Sequence, residues 1–146
     1  MLDLRTGTAR FLTGLGYYPS WMPNGTELAV QDPFTPPTYG FYALKADSGS
    51  SRLLYSFTTQ AYSTFPSIST NGREIVFSLV PSDTYSQLWK VDIQTGQVTQ
   101  LTTDGGDYPA WSPDGKQIVY SRTQFGDGTL WVMNADGSNK HRLTSP

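Results

Sequence analysis

Cysteine is absent from the 146 residues, so no disulfide, thiolate metal site or cysteine nucleophile is available. Histidine occurs once, at His141. A Ser-His-Asp triad within the chain would have to use it, and a cluster of metal-binding histidines is excluded. Charge is scarce as well: Asp, Glu, Lys and Arg make up 15% of the residues, against about 25% in an average soluble domain. The net charge of −2 supplies no field to attract nucleic acid or an anionic membrane. No apolar run approaches the roughly 18 residues of a membrane-spanning helix. The first residues, Met1-Leu2-Asp3-Leu4-Arg5, lack the apolar core of a signal peptide.

Turn formers and aromatics are plentiful: 14 Gly, 10 Pro, 4 Trp, 9 Tyr and 7 Phe. That mixture suits short aromatic strands joined by tight turns, not helices. The order of these residues repeats. Asp107-Tyr108-Pro109-Ala110-Trp111-Ser112-Pro113-Asp114-Gly115 runs into Gln117-Ile118-Val119-Tyr120. Thr64-Phe65-Pro66-Ser67-Ile68-Ser69-Thr70-Asn71-Gly72 precedes Glu74-Ile75-Val76-Phe77 in the same way, and Tyr17-Tyr18-Pro19-Ser20-Trp21-Met22-Pro23-Asn24-Gly25 precedes Glu27-Leu28-Ala29-Val30. The turn glycines Gly25, Gly72 and Gly115 are 47 and 43 residues apart. Two further anchors keep step. One is Phe41-Tyr42, Leu88-Trp89 and Leu130-Trp131; the other is the closing leucine, at Leu12, Leu54, Leu101 and Leu143. A repeat of about 40–45 residues that reads as four short strands is the arithmetic of a propeller blade.

The third copy carries Pro-Ala-Trp-Ser-Pro-Asp-Gly at 109–115, Leu130-Trp131-Val132-Met133-Asn134-Ala135-Asp136-Gly137 and Arg142-Leu143-Thr144. On these motifs the chain resembles the TolB-like β-propeller repeat family. The second copy keeps Asn71-Gly72 and Leu88-Trp89 but has Ile68 for the tryptophan, and the first keeps Trp21 and Pro23-Asn24-Gly25 but has Phe41-Tyr42. The expected fold is all-β, with blades of four antiparallel strands. Residues 1–13 are expected to form strands c and d of a preceding blade, because Leu2 to Gly7 matches Val91 to Gly96. Residues 14–55, 56–102 and 103–146 are expected to form three complete blades. Three and a half blades do not close a propeller of four to eight. The expectation is an incomplete or open arc that needs further blades in the same or another chain, or a second copy.

Most polar candidates have a structural explanation. His141 aligns with Arg10, Arg52 and Thr99, a solvated outer-strand position. Asn24, Asn71 and Asp114 are read as turn residues. Asp136-Gly137-Ser138-Asn139 lacks the alternating acids of a calcium loop. Asp104 and Asp107 flank a connection that needs such residues anyway. Tyr18, Phe65 and Tyr108 recur before the strand-a proline and are read as packing. No catalytic residue, metal site or cofactor is expected.

The b–c loops differ between copies and carry aromatics beside hydroxyls or acids. Such loops are where propellers place binding residues. Phe34, Tyr39, Tyr85, Phe125 and Asp127, with Tyr62 in the connection into the second blade, are the candidate contacts for a protein or glycan partner. The expected function is a non-catalytic scaffold that binds a protein or glycan. The alternatives are a self-assembling filament or oligomer subunit, or the propeller portion of a peptidase-like or polysaccharide-lyase enzyme. Neither nucleic acid nor membrane insertion is expected, and the resemblance implies a periplasmic or extracellular setting.

Overall fold

The computed structural model describes residues 2–3, 8–9, 16–32, 39–57, 63–80, 85–122 and 128–145. Among them every regular element is a strand, and no helix is long and apolar enough to cross a membrane. Strands β1 (Leu2–Asp3) and β2 (Thr8–Ala9) form a short antiparallel pair. Three four-stranded antiparallel sheets follow. The first contains β3 (Tyr17–Trp21), β4 (Glu27–Asp32), β5 (Gly40–Lys45) and β6 (Ser51–Ser56). The second contains β7 (Ser63–Ile68), β8 (Glu74–Leu79), β9 (Gln87–Asp92) and β10 (Val98–Gln100). The third contains β11 (Asp107–Trp111), β12 (Gln117–Arg122), β13 (Thr129–Asn134) and β14 (His141–Arg142). Each sheet is a simple meander, as the repeat predicts, and the sheets do not close on one another.

Turn chemistry sets the hairpins. Gly25, Gly72 and Gly115 adopt φ of 66°, 72° and 70°, a conformation that costs glycine nothing. The residue before each glycine fixes the turn with its side chain. Asn24 Oδ1 accepts from Thr26 N at 3.0 Å, Asn71 Oδ1 from Arg73 N at 3.0 Å and Asp114 Oδ1 from Lys116 N at 3.1 Å. At the same end of the second blade, in the turn between β9 and β10, Asp92 Oδ1 accepts from Gln94 N at 2.9 Å and Thr95 N at 3.0 Å. These bonds, with the Arg73 guanidinium at 2.7 Å, hold the Asp92 carboxyl down to about 2. Asp114 and Asp136 are lowered in the same way, first by the hydroxyls of Ser112 and Ser138. The turn residues read from the sequence thus have backbone-holding jobs.

The core lies between sheets. Met22, Ala29, Phe41 and Ala43 on the trailing face of the first sheet meet Ile68, Ile75, Phe77 and Val91 on the leading face of the second. Val76, Leu88 and Leu101 on the second sheet's trailing face meet Ile118, Tyr120 and Met133 of the third. Because the second sheet is buried on both faces, its strands lack a clean inside–outside alternation. Burial raises the Tyr120 phenol to about 12, with the Asp104 charge adding to it. One interface also carries an electrostatic tie. Lys90 Nζ on β9 reaches Glu74 Oε1 at 2.9 Å and the Ala135 carbonyl of the next sheet at 2.9 Å.

The third sheet's trailing face has no such cover among the described residues. Leu130 is 43% exposed and Leu143 55%, whereas their counterparts Leu88 and Leu101 in the second sheet are 0% and 5%.

Candidate functional site

In an up-and-down meander the b–c loops and the d–a connections share one end. The start of each inner strand lies at that end, because Tyr17 pairs with Gln31, Thr64 with Ser78 and Asp107 with Ser121, near the close of each second strand. Immediately after these pairs, all three inner strands break register in the same way. Between Tyr17 and Ser20 two residues oppose one residue of β4. The same irregularity falls between Thr64 and Ser67 and between Asp107 and Ala110. Such bulges re-aim a side chain and often lie beside binding sites.

The re-aimed residues are Tyr18, Phe65 and Tyr108, at φ of 52°, 54° and 51°. Glycine is usual at this position of a bulge, and a left-handed conformation costs another residue about 1–2 kcal/mol. The three rings stack in a ladder that crosses the blades. Tyr18 and Phe65 centroids are 4.5 Å apart, and Phe65 and Tyr108 are 4.1 Å apart. Each ring pair returns only about 0.5–1.5 kcal/mol. The packing read from the sequence is therefore present, but it does not offset the backbone cost by itself. Tyr108 remains 55% exposed.

The ladder borders a cavity of about 320 Å³, lined by residues 18–20, 65–67 and 108–110. The lining is aromatic, proline and small hydroxyl or methyl side chains, without a carboxylate, ammonium, guanidinium or imidazole. The signal for it was in the sequence: an aromatic residue before proline, three times at one repeat position.

The loop candidates fare differently. Tyr85 is 57% exposed just before β9. Tyr39 is half-buried, and its carbonyl accepts from Phe57 N at 2.7 Å. Phe34, Tyr62, Phe125 and Asp127 lie outside the described residues. His141 is exposed on β14, with Nδ1 3.0 Å from the Asn139 carbonyl oxygen. Asp104 is engaged by Arg122 at 3.0 Å, and the same guanidinium lies 4.8 Å from the centre of the Trp131 ring. Asp107 Oδ1 accepts from Tyr108 N at 3.0 Å. Asp104 and Asp107 therefore brace the connection between the second and third sheets. Gln87 Oε1 completes the brace by accepting from Thr102 Oγ1 and Gly105 N, each at 3.1 Å.

The known proteins to which this chain is similar are of several kinds. An uncharacterized protein of Agrobacterium fabrum, Atu1656, is 27% identical over 124 residues, covering 84% of this chain and 41% of that protein. The Tol-Pal system protein TolB of Francisella tularensis is 34% identical over 83 residues, covering 54% of this chain and 19% of TolB. Among solved structures, a putative TolB from Agrobacterium tumefaciens superposes with a TM-score of 0.72 at 25% identity, over 92% of this chain and 49% of that one. TolB from Acinetobacter baumannii gives 0.71 at 22%, over 88% and 32%. An oligogalacturonate lyase in complex with manganese gives 0.70 at 18%, over 99% and 45%, a likeness of fold alone. The chain thus spans less than half the length of each of these relatives. The family model for the TolB beta propeller domain matches residues 1–146. With its three meander sheets and repeated inner-strand motif, the chain belongs to the TolB β-propeller domain family.

Proposed function

We propose that this chain is a non-catalytic interaction scaffold, one portion of a larger propeller, whose b–c end binds a protein partner. The observation that carries this reading is the aromatic ladder: three rings held at backbone cost beside an uncharged cavity. A cavity lined by aromatic, proline and hydroxyl side chains, without a carboxylate, ammonium, guanidinium or imidazole, suits binding better than turnover. Tyr85 at the same end supports a partner contact there. Phe34, Tyr39, Tyr62, Phe125 and Asp127 are proposed as its neighbours on that rim. The relationship to proteins named for the Tol-Pal system favours a protein over a glycan, and a periplasmic setting.

Further blades are proposed to cover the third sheet. The exposure of Leu130 and Leu143, against the burial of Leu88 and Leu101, supports this. A second copy is the other candidate cover. Light scattering of the chain with and without Leu130→Asp separates the two. A dimer abolished by Leu130→Asp would favour copy pairing, while an unchanged monomer favours further blades.

The scaffold reading is tested with a photo-crosslinking phenylalanine at position 85 in the full-length protein, irradiated in the bacterial envelope. A discrete protein adduct is expected, weakened by Phe125→Ala. Absence of any protein adduct, or turnover of oligogalacturonate or of a peptide by the purified protein, overturns the reading.

A further inference from the structure

We infer that the Tyr18–Phe65–Tyr108 ladder is a receptor for a neutral, proline-rich peptide segment in the polyproline II conformation. The inference rests on the scaffold reading in one respect, that the partner is a protein.

The inner strands exclude the other common modes of peptide capture. β3, β7 and β11 are edge strands toward the cavity, so an added strand could in principle pair with them. Yet Pro19, Pro66 and Pro109 each remove a backbone N–H, and the bulge beside each one breaks the spacing of the remaining groups. A peptide strand could not continue a ladder along such an edge. Capture of an acidic or phosphorylated segment requires arginine or lysine, and none lines the cavity. A charged segment would lose its hydration there with nothing in return.

A polyproline II segment fits what is present. It is stiff before binding, it carries few N–H groups that need an acceptor, and it docks into aromatic-lined grooves. Tyr18, Tyr108 and Ser20 line the cavity, and a hydroxyl of each can donate to the peptide's carbonyls. The dimensions agree. Rings stepped 4.5 and 4.1 Å apart make an array comparable with one turn of polyproline II, about 9 Å at three residues per turn. The left-handed φ of the three aromatics then has a purpose, because strained backbone concentrates where a ligand is clamped.

The test uses acetylated, amidated octaproline as the neutral probe, with titration calorimetry on the wild-type chain and on Tyr18→Gly, Tyr108→Gly and Val98→Ala. Glycine is chosen because it removes the ring while tolerating the left-handed backbone, and denaturant midpoints confirm that each variant is folded. Saturable binding to the wild type is expected, weakened about thirtyfold by Tyr108→Gly, the scale of a hot-spot ring. Val98→Ala should leave it within about twofold, since Val98 lies on the outermost strand of the second sheet, away from the cavity residues. No octaproline binding overturns the inference, as does binding that survives both glycine variants. So does displacement of octaproline by a neutral oligosaccharide, maltoheptaose, that binds more tightly at the same ring. If octaproline fails while the crosslink at position 85 still yields a protein, the ladder inference falls and the scaffold reading stands. Failure of both removes both.

Discussion

At position 108, glycine should give a more stable protein than alanine, the reverse of the usual order in a strand. Both Tyr108→Gly and Tyr108→Ala delete the ring, so both lose its stack on Phe65 at 4.1 Å. They differ in backbone alone. In an ordinary strand glycine is less stable than alanine by about 0.5–1 kcal/mol, for reasons of entropy. At the φ of 51° imposed by the bulge, alanine carries a left-handed cost of about 1–2 kcal/mol that glycine does not. The balance favours glycine by about 0.5–1 kcal/mol. Urea titration followed by tryptophan fluorescence would read this as a midpoint higher by about 0.3–0.5 M for the glycine variant at a typical slope. Ala110→Gly, two residues along the same strand and past the bulge, supplies the control with the normal sign. An alanine variant at 108 as stable as the glycine variant would refute the claim that the bulge holds strain.

The remaining expectations are checked by similar means. Lys90→Ala removes the bonds to Glu74 and to the Ala135 carbonyl and should lower unfolding free energy by about 1–3 kcal/mol; a change within about 0.5 kcal/mol would mean that solvent replaces both bonds freely. Gly40→Ala would place a Cβ 2.1 Å from the Tyr55 carbonyl oxygen and should destabilise by about 1–3 kcal/mol or more, read in a thermal melt. Acid should weaken the fold through the turn carboxylates. Asp92 ionises more readily folded than unfolded, with its pKa lowered from 3.8 to about 2. Its contribution is therefore complete above 3.8 and lost as pH falls toward 2. Asp92→Asn should flatten the melting-temperature profile in that window, and an unchanged profile would refute the assignment.

The blade count, the turns and the strand order were legible because each repeat encodes them locally. Asn-Gly or Asp-Gly demands a tight turn wherever it occurs, and the alignment of Phe41, Leu88 and Leu130 marks the same strand three times. β11 begins at Asp107, two residues before the repeated proline, since Asp107 pairs with Ser121 on the near side of the bulge. The bulge itself was hidden. An aromatic before proline reads as an extended residue, and nothing local announces a left-handed φ. The ladder was hidden for a second reason: residues 47 and 43 positions apart meet only once the blades stack. Recurrence at one repeat position reads as packing for Tyr18, Phe65 and Tyr108, and the rings do pack; the same repetition also sets them around a common cavity. Tyr85 was legible as a loop aromatic, and its exposure agrees with that reading.

The Lys90 tie has a consequence for how the arc comes apart. The residue at the same register position is Ala43 in the first sheet and Val132 in the third. Of the two described interfaces, then, one closes on aliphatic and aromatic contact, while the other adds a fixed ammonium seated on a carbonyl. A repeat array behaves as a line of units joined by nearest-neighbour couplings, and here those couplings are not alike. Cooling weakens the apolar contact of both joints, while salt also screens the Lys90–Glu74 pair that holds the ammonium in place within the second sheet. The joint between the second and third sheets accordingly responds to ionic strength as well as to temperature.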